Sequence, residues 1–176
     1  MRKLKLQMNI LLDDQWDPGM TKLSMDNLKN VDCIFLGRNT AEGFIPDWAG
    51  VAGNPKDEFY KLGRRLTEIP KVVFSKKLKI SKWENATLVK GNMVQAVKTL
   101  KKKKGKDIIV YGGDSFVSSL IEHDLIDEFY LLVNPVAIGN GEPIFNPLKN
   151  NLQLTLVKCK AFASGAILLH YERTIK

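Results

Sequence analysis

The 176-residue sequence predicts an α/β fold: a mixed, mainly parallel central sheet with helices on both faces and a C-terminal antiparallel hairpin. Two observations predict it. Up to Ile126, short apolar runs typical of buried strands alternate with stretches of helical periodicity. After Ile126, three extended runs (126–138, 152–160 and 166–171) follow with no helical stretch between them. Alternating strands and helices are typical of a parallel sheet covered on both faces, and consecutive strands add an antiparallel edge.

Apolar runs bounded by turn residues predict the strands of the first part. The first run lies within residues 1–12. It is not interpreted as a signal peptide, because polar residues interrupt its apolar core and no small-residue cleavage site follows. The other predicted strands are 31–36, which Gly37 ends, 71–74, 87–89 and 107–111.

Capping signals followed by an apolar stripe predict three helices. Asn54–Pro55 is typical of a helix start, with Asn54 as N-cap. Asn92 is followed three residues later by Gln95, as in a capping box. Asp114 or Ser115 is expected to cap the third helix. The predicted inward-facing residues are Phe59, Leu62 and Leu66, then Met93, Val97 and Leu100, and finally Phe116, Val117, Leu120 and Ile121.

The composition favours one domain spanning residues 1–176, with 44% hydrophobic residues. No apolar run approaches the roughly 20 residues that cross a bilayer, so no membrane partner is expected. Cys33 and Cys159 lie in apolar runs without a second ligand at metal-binding spacing. They are interpreted as buried free thiols in a reducing cytoplasm, with no metal site.

The chain carries 27 Lys+Arg against 19 Asp+Glu, a formal net charge of +8. Nucleic acid, an anionic membrane or a phosphorylated small molecule would suit that charge. Much of the excess lies in residues 101–104 and Lys106, a run with no aromatic residue for base stacking and no Arg. This run is interpreted as the solvated end of a helix, and nucleic-acid binding remains a hypothesis that rests on net charge.

Three turns follow predicted strands, where ligands bind in open α/β sheets. They are Leu36-Gly37-Arg38-Asn39-Thr40, Phe74-Ser75-Lys76-Lys77 and the run from Tyr111 to Phe116. Taken singly, a Gly-Gly pair is commonly a tight turn, and a Ser-Lys pair is usually a solvated loop. Because all three occupy the same kind of position, their glycines, hydroxyl and cations together favour a ligand with several phosphates.

Residues 32–42, 71–76, 108–117 and 125–145 resemble the dihydrofolate-reductase-like fold. Within that fold they are most similar to the riboflavin biosynthesis reductase (RibD C-terminal domain) family, in its stand-alone bacterial form. The resemblance implies an NADPH-dependent reductase of a pteridine- or pyrimidine-like heterocycle. Its reference reaction is that of 5-amino-6-(5-phosphoribosylamino)uracil reductase. It also implies a cytoplasmic homodimer.

The same resemblance implies that Gly37 and two further groups of residues bind the cofactor. Gly37 has no side chain and so allows the cofactor to approach the backbone closely. The adenine-ribose end with its 2′-phosphate would contact Arg38, Asn39, Thr40, Ser75 and Lys76. The pyrophosphate and nicotinamide side would contact Gly112, Gly113, Asp114, Ser115, Phe116 and Val117.

The sequence assigns no catalytic residue. His123 and His170 are interpreted as structural, and Asp26 as an N-cap or first-turn residue of the helix after the first strand. The segment after that strand, 13–19, is shorter than the corresponding loop of the relatives. A non-catalytic nucleotide-binding module on the same fold is therefore the alternative hypothesis.

The predicted dimer interface lies in the strand-rich C-terminal part. Phe129, Tyr130 and Phe145 are its candidate residues. The other interpretation is that these aromatic side chains belong to the hydrophobic core.

Overall fold

A computed structural model describes residues 1–8 and 18–174. The strands within them are β1 (Leu4–Met8), β2 (Val31–Gly37), β3 (Lys71–Phe74), β4 (Ala86–Val89), β5 (Asp107–Tyr111), β6 (Glu128–Val133), β7 (Leu154–Ala161) and β8 (Ile167–Arg173). The helices are α1 (Pro18–Leu28), α2 (Arg38–Gly53), α3 (Tyr60–Glu68), α4 (Met93–Lys102) and α5 (Asp114–Glu122).

These strands form one sheet in the order β4-β3-β2-β5-β1-β6-β8-β7. The six strands from β4 to β6 in that order run parallel, and β8 is antiparallel to both β6 and β7. The predicted mixed sheet with a C-terminal antiparallel hairpin is therefore confirmed.

The pairing register aligns the carboxyl ends of three neighbouring strands. Gly37 at the end of β2 pairs with Phe74 at the end of β3. On the other side of β2, Phe35 pairs with Val110 of β5, one residue before that strand ends. The turns that follow these strands therefore start from the same edge of the sheet.

Alternate residues of β2 belong to the cores on opposite faces, as the strand period of two requires. Phe35 lies in the same buried cluster as Val97 of α4 and Val117 of α5. Ile34 lies in a second cluster with Leu62 of α3, which also includes residues of α1 and α2. Helices therefore cover both faces of the sheet, as predicted.

The predicted helix start at Asn54–Pro55 is wrong. Asn54 is the C-cap of α2, and the next helix begins at Tyr60. The Asn54 side chain accepts a hydrogen bond from the backbone N–H of Lys56, so it stabilises a turn between helices. Leu62 and Leu66 are nevertheless buried on one face of α3, as predicted.

Three further predictions need correction. Lys101 is buried, because its Nζ donates to the carbonyl of Leu125 at 2.9 Å and to Asp127 at 2.5 Å. The other lysines of that run are exposed: Lys102, Lys103, Lys104 and Lys106. Cys33 is buried, as predicted, but Cys159 is exposed on β7, at the edge of the sheet. The N-cap of α5 is Gly113, so Asp114 is its first helical residue.

Other local features agree with the sequence. Asn92 caps α4, and its side chain accepts a hydrogen bond from the Gln95 backbone at 3.0 Å. The predicted first strand ends with residues 9–12, which lie outside the described residues. The same holds for residues 13–17 of the loop that follows. No helix in the described part of the chain has both the length and the apolarity needed to span a bilayer.

Candidate functional site

A cleft of about 720 Å³ opens at the carboxyl edge of the sheet. The three predicted turns surround it. Of the predicted site residues, those that line it are Gly37, Arg38, Asn39, Thr40, Ser75, Lys76, Gly113, Asp114, Ser115 and Phe116. The cleft forms because β2 lies between β3 and β5, which brings segments far apart in sequence to adjacent strand ends.

Gly112 and Val117 do not line this cleft. Gly112 has a φ of +45°, and a Cβ there would be 3.5 Å from Thr40 Cγ2. Val117 is fully buried in the core, and its N–H donates to the Gly113 carbonyl. Both residues shape the turn and the start of α5, so their contribution to a ligand site is indirect.

Two helices begin at the cleft without a side-chain cap. The N-caps are Gly37 for α2 and Gly113 for α5, and neither helix has a side-chain capping hydrogen bond. The first N–H groups of a helix have no partner inside the helix, and its N-terminus carries a partial positive charge. A pair of such termini at one cleft favours an anionic ligand.

Basic side chains add to this positive potential. Arg38 Nη1 donates to Glu42 Oε1 at 3.0 Å, and Lys82 Nζ lies 3.5 Å from the same oxygen. Partial desolvation opposes ionisation of Glu42, but the hydrogen bond and charge of Arg38 hold its pKa below the usual range. Lys76 and Lys77, which follow β3, are exposed and line the same cleft. Arg38 is therefore already oriented, whereas both lysines are solvated.

The Ser75 hydroxyl is committed to the turn. Its Oγ accepts hydrogen bonds from the backbone N–H groups of Lys77 and Leu78, both at 3.1 Å. These bonds fix the backbone that carries Lys76, as a serine turn does. A hydroxyl proton is left for donation to a ligand, because both protein contacts use the oxygen as acceptor.

Close packing joins the turns to one another. The rings of Phe74 and Phe116 stack with centroids 4.9 Å apart, which connects the end of β3 to the start of α5. A Cβ at Gly37 would lie 3.1 Å from Phe116 Cβ, and one at Gly113 would lie 2.6 Å from Thr40 Oγ1. Glycine at these two positions therefore permits the approach of α2 and α5 that defines the cleft.

Part of the cleft lining lies outside the residues that the sequence predicted. Phe74 and Lys77 belong to the second predicted turn, and the lining residues outside all three turns are Ser118, Glu142, Pro143, Asn146 and Pro147. Four of them come from the segment between β6 and β7, which has no helical or strand periodicity. The available signal was the turn-rich run 139–143, since β6 is parallel to β1 and also ends at this edge.

The histidines and Asp26 lie outside the cleft lining. His123 is exposed, with Nδ1 2.8 Å from the Ser119 carbonyl, and His170 lies 3.2 Å from Glu128 Oε2. Asp26 is in the last turn of α1, not the first, and pairs with Lys22 and Lys29. Among residues 1–8 and 18–174, no cluster of three or more His, Cys, Asp or Glu could hold a metal ion.

A match to a known family shows which protein family the chain belongs to. The RibD C-terminal domain model matches residues 13–168, which is most of the chain. This chain belongs to the RibD C-terminal domain family. The protein YyaP of Bacillus subtilis (strain 168), described as uncharacterized, is 34% identical over 161 residues, 89% of this chain and 79% of its own.

Solved structures agree with this family at the level of the fold. A deaminase/5-amino-6-(5-phosphoribosylamino)uracil reductase of Thermotoga maritima is similar with a TM-score of 0.64 and 14% identity. The alignment covers 98% of this chain and 57% of that protein. Dihydrofolate reductase from Enterococcus faecalis, complexed with NADP(H), gives a TM-score of 0.62 at 13% identity, covering 99% and 97% of the two chains. The RibD C-terminal domain described here therefore has the fold of a riboflavin-biosynthesis-type reductase, and the predicted dihydrofolate-reductase-like fold is confirmed.

Proposed function

We propose that this chain, acting as one domain in the cytoplasm, is an NADPH-dependent reductase of a pteridine- or pyrimidine-like heterocycle. The model reaction is that of 5-amino-6-(5-phosphoribosylamino)uracil reductase. The observation that carries the proposal is the meeting of two uncapped helix N-termini with Arg38 and Lys76 around one cleft. The reductase names and the NADP(H) complex of the two structural neighbours support the same chemistry.

The residues present fit a dinucleotide that carries a pyrophosphate and a separate 2′-phosphate. The first N–H groups of α5 would bind the pyrophosphate, as helix N-termini commonly do. Arg38 and Lys76 would hold the 2′-phosphate, for which the planar guanidinium offers paired donors. The Ser75 hydroxyl proton and the Asn39 amide are additional donors at that end.

The bound cofactor would supply the hydride, and the chain would position the reactants and exclude water. On the other side of the cleft, Glu142 and Asn146 carry acceptors and donors that suit the amide-like edge of a heterocycle. Pro143 and Pro147 give this wall little conformational freedom. The proposal therefore places the substrate between the start of α5 and the segment 142–147.

Binding and turnover of NADPH test the proposal together. Titration of the protein with NADPH, followed by tryptophan fluorescence and calorimetry, is expected to give saturable binding. NADPH oxidation is then measured against a panel of pterins and pyrimidinediones. Saturable binding with oxidation supports the reductase; binding without oxidation of any panel member supports the non-catalytic module. Absence of saturable binding would reject both.

Replacing Arg38 by alanine is expected to weaken NADPH binding about 10- to 100-fold and NADH binding much less. One charge-assisted hydrogen bond to the 2′-phosphate is worth about 1.5–3 kcal/mol, which corresponds to that range. Calorimetric titration of both cofactors measures the two effects separately.

The matched control is Arg64→Ala. Arg64 pairs with Glu68 four residues later at 2.9 Å, just as Arg38 pairs with Glu42, but it lies on α3 and does not line the cleft. The control is expected to leave both affinities unchanged. An equal loss of NADPH and NADH binding in Arg38→Ala would contradict the assignment of Arg38 to the 2′-phosphate.

We also propose that the protein forms a homodimer through the sheet edge at β7. Leu156 and Val157 on this outer strand are 52% and 51% exposed. Of the three aromatic residues considered from the sequence, Phe129 and Tyr130 are buried in the core and Phe145 remains partly exposed. Sedimentation velocity tests the proposal, and a monomer at all concentrations would contradict it.

A further inference from the structure

A second pocket of about 350 Å³ lies away from the main cleft, between α2, the end of α3, the start of β3 and the residues before β4. It shares no lining residue with the main cleft. We call it the aromatic pocket, because its lining includes Phe44, Trp48 and Trp83. Its volume is within the range of small-molecule sites.

One charged residue is buried at this pocket. Lys71 is 3% exposed, and its Nζ donates to the Thr67 carbonyl at 2.6 Å. Within the described part of the chain, Lys71 forms no ion pair with a carboxylate. Burial lowers the pKa of this lysine to about 8, which reflects the cost of a desolvated ammonium.

The contacts of Lys71 leave some of its hydrogen-bond donors without an acceptor. An ammonium has three donors, and the Thr67 carbonyl near the end of α3 provides one acceptor together with the negative end of the helix dipole. Lys82, the other lysine at the pocket, is already compensated by Glu42 at 3.5 Å, and Glu84, the one carboxylate among the lining residues, is exposed to solvent. An anion entering the pocket would therefore gain most from pairing with Lys71.

The walls and the charge together define the ligand. Aromatic rings favour a flat apolar body, and Phe44 and Trp48 already contact each other with centroids 6.2 Å apart. One buried cation matches a singly charged carboxylate better than a phosphate, whose second charge would remain unpaired. We propose that the aromatic pocket binds a small planar aromatic carboxylate, with its ring against Trp48 and Trp83 and its carboxylate on Lys71 Nζ.

A matched pair of probes tests this in the unmodified protein without NADPH. Naphthalene-2-carboxylate is expected to bind saturably and to quench tryptophan fluorescence. Naphthalene-2-methanol, which has the same rings without the charge, is expected to bind at least about tenfold more weakly. Equal affinities for the two probes, or no saturable binding of the carboxylate, would overturn the proposal.

A variant then assigns the charge to Lys71. Lys71→Met keeps an unbranched chain of similar length and removes the buried charge, so it is expected to fold normally. It should lose the preference for the carboxylate while still binding naphthalene-2-methanol. The control Lys102→Met changes an exposed lysine of α4 and should retain the preference. A preference unchanged in Lys71→Met would overturn the assignment.

Competition with NADPH separates this pocket from the main cleft. No residue lines both, but Arg38 of the cleft and Lys82 of the pocket share the Glu42 carboxylate, whereas Lys71 is not part of that ion-pair network. Saturating NADPH is therefore expected to change the affinity for naphthalene-2-carboxylate by less than about tenfold and not to displace it. Displacement of the probe by NADPH would place it in the main cleft and overturn the proposal. If NADPH itself does not bind, the probe measurements still stand, because they are made without it.

Discussion

Replacing Glu128 by alanine is expected to lower the free energy of unfolding by about 2–3 kcal/mol, the usual effect of leaving a buried hydrogen-bond donor without its acceptor. The carboxylate is only 5% exposed and accepts hydrogen bonds from Lys3 Nζ at 2.6 Å and from the Tyr130 hydroxyl at 2.9 Å. His170 Nε2 lies 3.2 Å from the oxygen that Tyr130 contacts, and Lys5 Nζ lies 3.9 Å from it. One carboxylate thus interacts with side chains from β1, β6 and β8.

The alanine variant leaves the buried Tyr130 hydroxyl without its acceptor, whereas Lys3 is half exposed and keeps Glu172, and Lys5 keeps Asp107 at 2.8 Å. Tyr130 is 8% exposed and stacks on His170 at a centroid distance of 4.0 Å, so its hydroxyl cannot turn freely to solvent. Urea unfolding at neutral pH measures the loss. Glu128→Gln keeps the shape and one acceptor oxygen, so it should fall between wild type and Glu128→Ala and fold even if the alanine variant does not.

Glu172→Ala is the matched control for this prediction. Glu172 also accepts a hydrogen bond from Lys3 Nζ, at 3.0 Å, but its side chain is 46% exposed. Exposed ion pairs contribute about 1 kcal/mol or less. A loss in Glu128→Ala no larger than in Glu172→Ala would show that burial of the carboxylate does not set its contribution.

Glu128 also predicts a pH dependence of stability. Burial opposes its ionisation, but the hydrogen bonds from Lys3 and Tyr130 and the charge of Lys5 outweigh burial and lower its pKa below the usual 4.5. A carboxyl group with a lower pKa in the folded state stabilises the protein above its unfolded pKa, and this contribution is lost as the pH falls through the folded pKa. Stability should therefore fall on acidification below about pH 4.5, less steeply in Glu128→Gln. Equal slopes would contradict the role of Glu128.

Replacing Gly113 by valine is expected to weaken NADPH binding at least about 100-fold and to destabilise the fold by about 2–3 kcal/mol. Gly113 has a φ of +78°, which a β-branched residue adopts only with strain. A Cβ there would also lie 2.6 Å from Thr40 Oγ1, closer than real contacts allow. Either the Thr40 side chain or the turn itself must therefore shift, and both line the cleft.

Two comparisons separate strain from steric conflict. Gly91→Val shares the positive φ, +83° at Gly91, but a Cβ there meets nothing within 4 Å, so this variant should lose stability without losing NADPH affinity. Thr40→Ala removes the hydroxyl that the new Cβ would meet. The double variant Gly113→Val/Thr40→Ala should therefore be more stable than Gly113→Val alone.

Thermal unfolding and calorimetric titration measure these effects. The stability difference between Gly113→Val and Gly91→Val reports the Thr40 contact whether or not the protein binds NADPH. If the two valine variants were equally stable and the double variant gained nothing, the close approach of α2 and α5 would be refuted. Retained NADPH affinity in Gly113→Val would instead count against the cofactor site.

The helix α2 is an element that the sequence did not predict. Residues 38–53 include Gly43, Pro46 and Gly50, all poor helix formers, and the sequence analysis predicted no helix there. In the structure, Ala41 is fully buried and Phe44 and Trp48 pack against the same core cluster. Tertiary packing thus outweighs a weak local preference, and with α2 the structure adds the second uncapped N-terminus.

The sequence also did not predict which individual lysine and cysteine residues are buried. Lys101 belongs to a run of lysines and was predicted to be solvated, yet it reaches Asp127 across the fold. Cys33 and Cys159 occupy similar apolar runs, but one lies on a central strand and the other on the edge strand β7. Burial depends on the order of the strands in the sheet. The residues next to each position in the sequence do not determine that order.

The sequence by itself determined the alternation of strands and helices, the C-terminal hairpin, the cap of α4 and the turn residues that surround the main cleft. These features depend on short-range periodicity and on the backbone preferences of Gly, Asn and Pro, which are readable within a few residues. Only the tertiary structure decided that β2 lies between β3 and β5, that Glu142 joins the cleft, and that Lys71 lies at an aromatic pocket. The physical reason is that strand order and burial result from packing between segments many residues apart.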